Sequence, residues 1–251
     1  MLDPTKRFTN RVENYLKYRP RYPAQLLALL ESECALTREA MVADIGSGTG
    51  FMTELFLQHG NQVFGVEPNA EMRAAGERLM EQYPAFVSVV GTAEATTLPD
   101  AAADLIVVGQ AFHWFNHAAA KTEFKRILRP SGWVVLVWNG FHLEGSAVVR
   151  GYHELLLKYG TDYSAVSREI DSCDLESFFA PNKYRRTRFP YKQVFDFAGF
   201  QGRLLSASYA PQPGEPPYEA MIGELRQIFD ANQENGTIDF DYETDVYYGQ
   251  L

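Results

Sequence analysis

Cysteine is nearly absent from this 251-residue sequence: only Cys34 and Cys173 occur, far apart and in no metal-ligand spacing. Neither a disulfide framework nor a metal site such as zinc is therefore expected, and the compartment is expected to be reducing. Positive charge is also in deficit. With 23 Lys and Arg against 32 Asp and Glu, the net charge is −9, which repels polyanions at long range and argues against non-specific attachment to nucleic acid or an anionic membrane surface. No apolar run approaches the ~20 residues that span a bilayer, and none of signal-peptide length follows Met1–Arg7. A cytoplasmic protein with no membrane partner is expected. Internal repeats and low-complexity tracts are lacking too.

What is present is a globular composition, 46% hydrophobic and 22% charged, enough for a packed core. A short aromatic-bearing helix is read from about Phe8 to Tyr18, and a second from Gln25 to Glu33 after Pro23. Five β-rich runs follow, at Met41–Ile45, Gln62–Val66, Phe86–Val90, Asp104–Val108 and Trp133–Trp138. Helical stretches separate them. Phe51 to Gln58 stops at Gly60, Asn69 to Gln82 opens on an Asn cap, and His117 to Leu128 ends before the turn signal Arg129-Pro130-Ser131-Gly132. Strands separated by helices of this length are parallel, joined by right-handed crossovers and covered on both faces, which is a doubly wound α/β sheet. Beyond Asn139 the pattern weakens. Glu144–Tyr159, Val194–Ser208 and Pro217–Asn232 read as helices, Tyr184–Tyr191 as a strand, and Thr237–Tyr248 as a closing strand, while Gly160–Asn182 has no clear period. The expected division is 1–35 as an N-terminal helical lid, 36–140 as the ligand-binding core, 141–236 as a substrate cap with a sixth strand, and 237–251 as a strand returning to the sheet.

The turn after the first strand, Asp44-Ile45-Gly46-Ser47-Gly48-Thr49-Gly50, carries glycine at alternate positions. In an open α/β sheet this turn binds ligands, because the helix N-terminus presents unpaired N–H groups and missing side chains permit close approach. The spacing is not that of a dinucleotide fingerprint, whose third glycine position falls on Phe51, nor of a phosphate loop, since no Lys-Ser or Lys-Thr follows. A ligand with an amino-acid carboxylate and no pyrophosphate fits, with Asp44 accepting from its ammonium group or bracing the turn. The next strand ends in Glu67-Pro68, placing a carboxylate where it can take two ribose hydroxyls. Gly91-Thr92-Ala93-Glu94 then suits an adenine, although Glu94 serves equally as a helix-start acid.

This order of motifs, followed by Gly109-Gln110-Ala111-Phe112-His113-Trp114-Phe115, resembles the class I, Rossmann-like S-adenosylmethionine-dependent methyltransferases, and within them the branch of trans-aconitate methyltransferases and "type 11" domain proteins. The opening from Phe8-Thr9-Asn10-Arg11 through Tyr15, Tyr18, Arg19, Pro20, Tyr22 and Pro23 resembles the same branch. The likeness is clear over about residues 8–140. It implies a seven-stranded, mostly parallel sheet with an antiparallel last strand, S-adenosylmethionine as methyl donor and S-adenosylhomocysteine as product. The implied cofactor residues are Asp44, Gly46, Ser47, Gly48, Thr49, Gly50, Glu67, Pro68, Thr92, Ala93, Glu94 and Gln110.

Methyl transfer from a sulfonium is an in-line displacement and needs no catalytic dyad. If the acceptor needs deprotonation, His113 is the best-placed base, with a structural histidine as the other reading. Trp114 and Phe115 either line the substrate pocket or belong to the core. Tyr15, Tyr18 and Arg19 are expected as substrate-side lid residues, Arg19 pairing a carboxylate or lying in solvent. The fourth strand does not end in Asn/Asp-Pro-Pro-Tyr, which together with the acidic charge favours a small-molecule acceptor. The basic run Lys183–Arg188 either receives an anionic acceptor or forms a solvated strand face. Two other readings stay open: a donor-binding protein without transferase activity, and a nicotinamide-dependent oxidoreductase.

Overall fold

The sequence Met-Val-Ala-Asp-Ile folds as β1, Met41–Ile45, and four of its five residues are buried, as a central strand covered on both faces requires. The computed structural model describes residues 12–164 and 174–251. The expected helix start at Phe8, the Phe8–Arg11 segment, Cys173 and the side chain of Tyr15 lie outside the described residues.

The described helices are α1 (Val12–Tyr18), α2 (Gln25–Glu33), α3 (Phe51–His59), α4 (Ala70–Met80), α5 (His117–Ile127), α6 (Ala147–Tyr159), α7 (Leu175–Phe179), α8 (Phe197–Leu205) and α9 (Tyr218–Asn232). The other strands are β2 (Gln62–Val66), β3 (Phe86–Val89), β4 (Ala103–Gly109), β5 (Leu128–Phe141), β6 (Tyr184–Phe195) and β7 (Ile238–Gly249). They form one seven-stranded sheet in the order β3-β2-β1-β4-β5-β7-β6. β1 runs parallel to β2, with Met41 opposite Gln62, and to β4, with Val42 opposite Leu105. β2 is parallel to β3 and β4 to β5. The strand order reverses between β1 and β4, which opens a crevice at their carboxyl ends. Against β5, β7 runs the other way: His142 donates to the Asp241 carbonyl, Trp138 meets Tyr247, and Gln250 donates to the Ser131 carbonyl. The last strand is thus antiparallel, as the family resemblance implied.

Local chemistry sets several boundaries. Asn69 caps α4 by accepting from the Met72 N–H at 2.9 Å, and Asn116 caps α5 through Ala119 at 3.2 Å. The helix expected from Val194 begins at Phe197 instead, because Asp196 accepts the Gly199 N–H at 2.7 Å and so becomes the cap, leaving Val194 in β6. The turn signal Arg129–Gly132 lies inside β5. A register shift between Ala103 and Leu105 absorbs it, with Ser131 at φ +67°.

The chain divides into two compact units, one of Arg21–Trp138, Cys173–Phe189 and Thr244–Leu251, the other of Met1–Pro20, Asn139–Ser172 and Pro190–Glu243. In the first, Leu26, Leu30, Phe56, Val63, Leu105 and Val135 share one core. In the second, rings dominate: Tyr152 meets Phe141 at 5.5 Å and Phe240 at 5.0 Å, and α8 and α9 add Phe200 and Phe229. Among the described residues no helix is long and apolar enough to cross a membrane, and no group of three His, Cys, Asp or Glu is placed to hold a metal ion.

Candidate functional site

The glycine turn follows β1 at the reversal point. Gly46, Gly48 and Gly50 have φ of +72°, +57° and +89°, the left-handed region that a side chain disfavours. The N–H groups of Gly46 and Ser47 both reach the Val66 carbonyl, at 2.9 and 3.1 Å, fastening the turn to the end of β2. A Cβ on Gly46 would stand 2.7 Å from Ala111 Cβ and 3.4 Å from the Phe115 ring, so Phe115 covers this side of the turn. Gly48 is more open, with only the Met72 methyl at 3.4 Å from such a Cβ. Gly50 is the N-cap of α3, and no side chain caps that helix start.

Two carboxylates flank the turn. Glu67 is 8% exposed; its Oε2 accepts the Gly48 N–H at 2.8 Å and its Oε1 the Asn69 N–H at 2.8 Å. Burial pushes its carboxyl upward, and those two N–H groups pull it back. Asp44 is 1% exposed; Oδ2 accepts from the Thr53 hydroxyl at 2.7 Å, while Oδ1 has no hydrogen-bond partner. Burial pushes this carboxyl up to about 7, with Thr53 opposing and the Glu67 charge adding to the rise. An orphaned carboxylate oxygen under a glycine turn is suited to a cationic ligand group, since ionisation there is otherwise costly.

Beyond β3, Thr92 and Ala95 close a tight antiparallel bridge around buried Ala93. Glu94 Oε1 accepts the Asn116 N–H at 2.8 Å, so the helix-start role foreseen for it is filled by a direct contact at α5. Thr96, two residues further, is held by Glu123, which takes its N–H at 2.8 Å and its hydroxyl at 2.6 Å. Gln110 follows β4 with φ +59°, its N–H bonded to the Val137 carbonyl at 2.9 Å. A non-glycine residue held there is uncommon and marks an over-determined position.

His113 and Trp114 lie in a 3₁₀ turn, Phe112–Trp114, their rings 4.4 Å apart. The Trp138 indole N–H donates to His113 Nδ1 at 3.4 Å. Indole is a donor only, so in the neutral ring the proton resides on Nε2. That makes His113 a hydrogen-bond donor at Nε2, and base action there requires the other tautomer.

The residues expected at the site thus separate. Asp44, the three glycines, Ser47 and Glu67 are linked through the turn, and Phe115 packs on it; Thr49 is buried beside them, its hydroxyl without a partner. Pro68 follows Glu67 on the way to α4, where Arg73 donates to the Glu67 carbonyl at 2.9 Å. Tyr18 and Arg19 belong to the other unit, where the Tyr18 ring occupies the space a Cβ on Gly202 would need and Arg19 donates to the Ser206 carbonyl at 3.2 Å. In the basic run, Arg186 and Arg188 both pair with Asp245, and Arg185 pairs with Glu33, which is the strand-face reading. Thr53, Tyr22 and Trp138 were not singled out. Thr53 was traceable as the hydroxyl one turn into the helix after Asp44, and Tyr22 through Gly109, whose missing Cβ makes room for its hydroxyl. Nothing local marked Trp138.

Comparison with known proteins agrees with this geometry. Residues 43–136 match the family described as "Methyltransferase domain". An uncharacterised methyltransferase of Mycobacterium tuberculosis (strain ATCC 25618 / H37Rv) is 36% identical over 137 residues, covering 55% of this chain and 54% of the relative. An uncharacterised methyltransferase of Schizosaccharomyces pombe is 31% identical over 133 residues, 53% of this chain and 52% of the relative. The chain spans about half the length of these curated relatives. Among solved structures, a candidate type II methyltransferase from Anaeromyxobacter dehalogenans shares the fold with a TM-score of 0.68 and 24% identity, covering 93% of this chain and 98% of that one. Residues 43–136, with the glycine turn, Glu67 and the Thr92–Ala95 bridge, therefore belong to the class I, Rossmann-like S-adenosylmethionine-dependent methyltransferases.

Proposed function

We propose that this chain binds S-adenosylmethionine at the Gly46–Gly50 turn and catalyses transfer of its methyl group to a small-molecule acceptor. The observation that carries the reading is the buried Glu67 carboxylate bonded to the Gly48 N–H, an acid fixed beside a glycine turn at the reversal point of the sheet. S-adenosylmethionine supplies an electrophilic methyl on a sulfonium when bound. Glu67 retains lone pairs for ribose hydroxyls, because each of its oxygens spends one on a backbone N–H. Asp44 Oδ1 is the acceptor for the ammonium group, and the uncapped start of α3 receives the carboxylate. Ser47, Thr49, Pro68, Thr92, Ala93 and Gln110 complete the cofactor set. Trp114 and Phe115 exclude water, and positioning supplies most of the acceleration.

His113 orients the acceptor as an Nε2–H donor in this reading, since Trp138 holds its Nδ1. The small-molecule class rests on the net charge of −9, which disfavours polyanionic acceptors. A cytoplasmic setting follows from the sparse cysteines.

Calorimetry with S-adenosylmethionine and S-adenosylhomocysteine tests the reading. Binding of both is expected; a wild-type chain that ignores both overturns it. A metabolite screen with labelled methyl donor then finds the acceptor. Label appearing in no metabolite despite donor binding would identify a binding protein without transferase activity.

A further inference from the structure

Arg126, Arg129, Arg186, Arg188 and Arg226 each meet an Asp or Glu. Arg203 does not. It lies on α8, is 2% exposed, and donates from Nε to the Tyr242 hydroxyl at 2.8 Å, while its Nη1 has no hydrogen-bond partner. Three rings surround the guanidinium, with centroids 5.7 Å (Phe141), 5.9 Å (Tyr152) and 5.7 Å (Tyr242) from Cζ. Tyr152 is fully buried, and its hydroxyl also lacks a partner.

Ring faces offset part of the cost of burying this cation. They supply no oxygen acceptor for Nη1, and a buried guanidinium cannot shed its proton. The phenols do not neutralise it either. Burial pushes the hydroxyls of Tyr152 and Tyr242 above the usual range, so both stay protonated, and no carboxylate is among the groups acting on Arg203. Arg19, which donates to the Ser206 carbonyl, adds a second positive charge close enough to act on both phenols. Two guanidiniums and two neutral phenols with no acid between them leave a positive site within one compact unit.

We propose that Arg203 Nη1 and the Tyr152 hydroxyl, with Arg19 as supporting charge, form a receptor for the carboxylate of a small organic acid. Two unused donors match the two oxygens of a carboxylate, and the aromatic surround suits a weakly hydrated planar group better than a strongly hydrated phosphate. The Tyr18 ring covers Gly202 on the same helix, so the acid enters as that ring turns aside. None of these residues belongs to the glycine turn, and the assignment needs no methyl donor.

The test is thermal unfolding of the full chain, without methyl donor, in benzoate, in its neutral isostere benzamide and in inorganic phosphate, all at one ionic strength. Benzoate is expected to raise the midpoint by several degrees over benzamide, with phosphate inert. Arg203→Met should abolish that increment while remaining at least as stable as wild type without benzoate, because it removes an unpaired buried charge. Tyr152→Phe, which removes one oxygen, should weaken benzoate binding about fivefold by calorimetry. Equal shifts from benzoate and benzamide, a benzoate shift that survives Arg203→Met, or stabilisation by phosphate alone would overturn the proposal. If Arg203→Met does not fold, Tyr152→Phe decides the matter: unchanged benzoate affinity rejects the site.

Discussion

Glu67 holds Gly48: the carboxylate at the end of β2 accepts the backbone N–H at the middle of the glycine turn, at 2.8 Å. One side chain thereby fixes the turn while presenting its remaining lone pairs to a ligand. Glu67→Ala removes both functions and should weaken S-adenosylmethionine and S-adenosylhomocysteine at least tenfold, ~1.4 kcal/mol or more for a charged hydrogen-bond acceptor. Calorimetry on the folded variant checks it, and unchanged affinity for both ligands would remove Glu67 from the site.

Gly46 and Gly48 should fail differently. Gly46→Ala places a Cβ 2.7 Å from Ala111 at φ +72°, a clash added to strain, and should cost ~2 kcal/mol of stability in urea titration. Gly48→Val has more room but a β-branched residue at φ +57°, so its loss should appear chiefly in donor affinity. Equal stability losses with intact binding in both would contradict this division.

Asp44 makes stability and binding respond to pH in opposite directions. Its folded value of about 7 lies above that of an unfolded aspartate. Between about pH 4 and 7 the folded chain therefore retains a proton the unfolded chain has released, and stability falls as pH rises, by at most ~1.4 kcal/mol per pH decade. Asp44→Asn should flatten this part of the curve in urea titrations from pH 5 to 8. Binding of a ligand with an ammonium group should tighten across the same window, because the ionised carboxylate is the form that accepts it.

The Trp138 bond to His113 fixes a tautomer. In wild type, imidazole ¹⁵N shifts should show the proton on Nε2, and Trp138→Phe should mix the tautomers. Once an acceptor is known, His113→Ala should lower turnover about tenfold if an Nε2–H donor is used in the transition state. Undiminished turnover would return His113 to a purely structural role.

Glu123 ties the loop after β3 to α5, accepting from Thr96 and from Arg126 Nε and Nη2 at 2.8 and 2.6 Å. The Arg126 bonds, with those of Thr96, hold its carboxyl down to about 2. Its stabilisation is therefore present above the ordinary glutamate range and is lost as pH falls through about 2. Glu123→Ala should cost ~2 kcal/mol at pH 7 by leaving the buried Thr96 N–H unpaired. A urea midpoint unchanged from wild type would show that the loop does not depend on it.

Elements with local signals were legible from residue order. β1, β2 and α2 have the expected bounds because hydrophobic runs and their flanking breakers act over a few residues, and Asn69 caps α4 as its place before an apolar period implied. The glycine turn and Glu67 were legible for the same reason: both sit at strand ends, where chain direction dictates what a ligand meets. Where two local signals competed, the chain alone did not arbitrate. Val194 favoured either β6 or α8 until Asp196 captured the Gly199 N–H, and Arg129–Gly132 resembled a turn until a register shift placed it within β5. The partners of Thr53, Trp138 and Glu123, and the isolation of Arg203 from every acid, are set by contacts between segments far apart in sequence or on different elements. Residue order determined the fold class and the edge at which a ligand binds. Long-range packing alone decided which polar atoms found partners and which were left waiting, because burial and pairing arise only when distant segments close on one another.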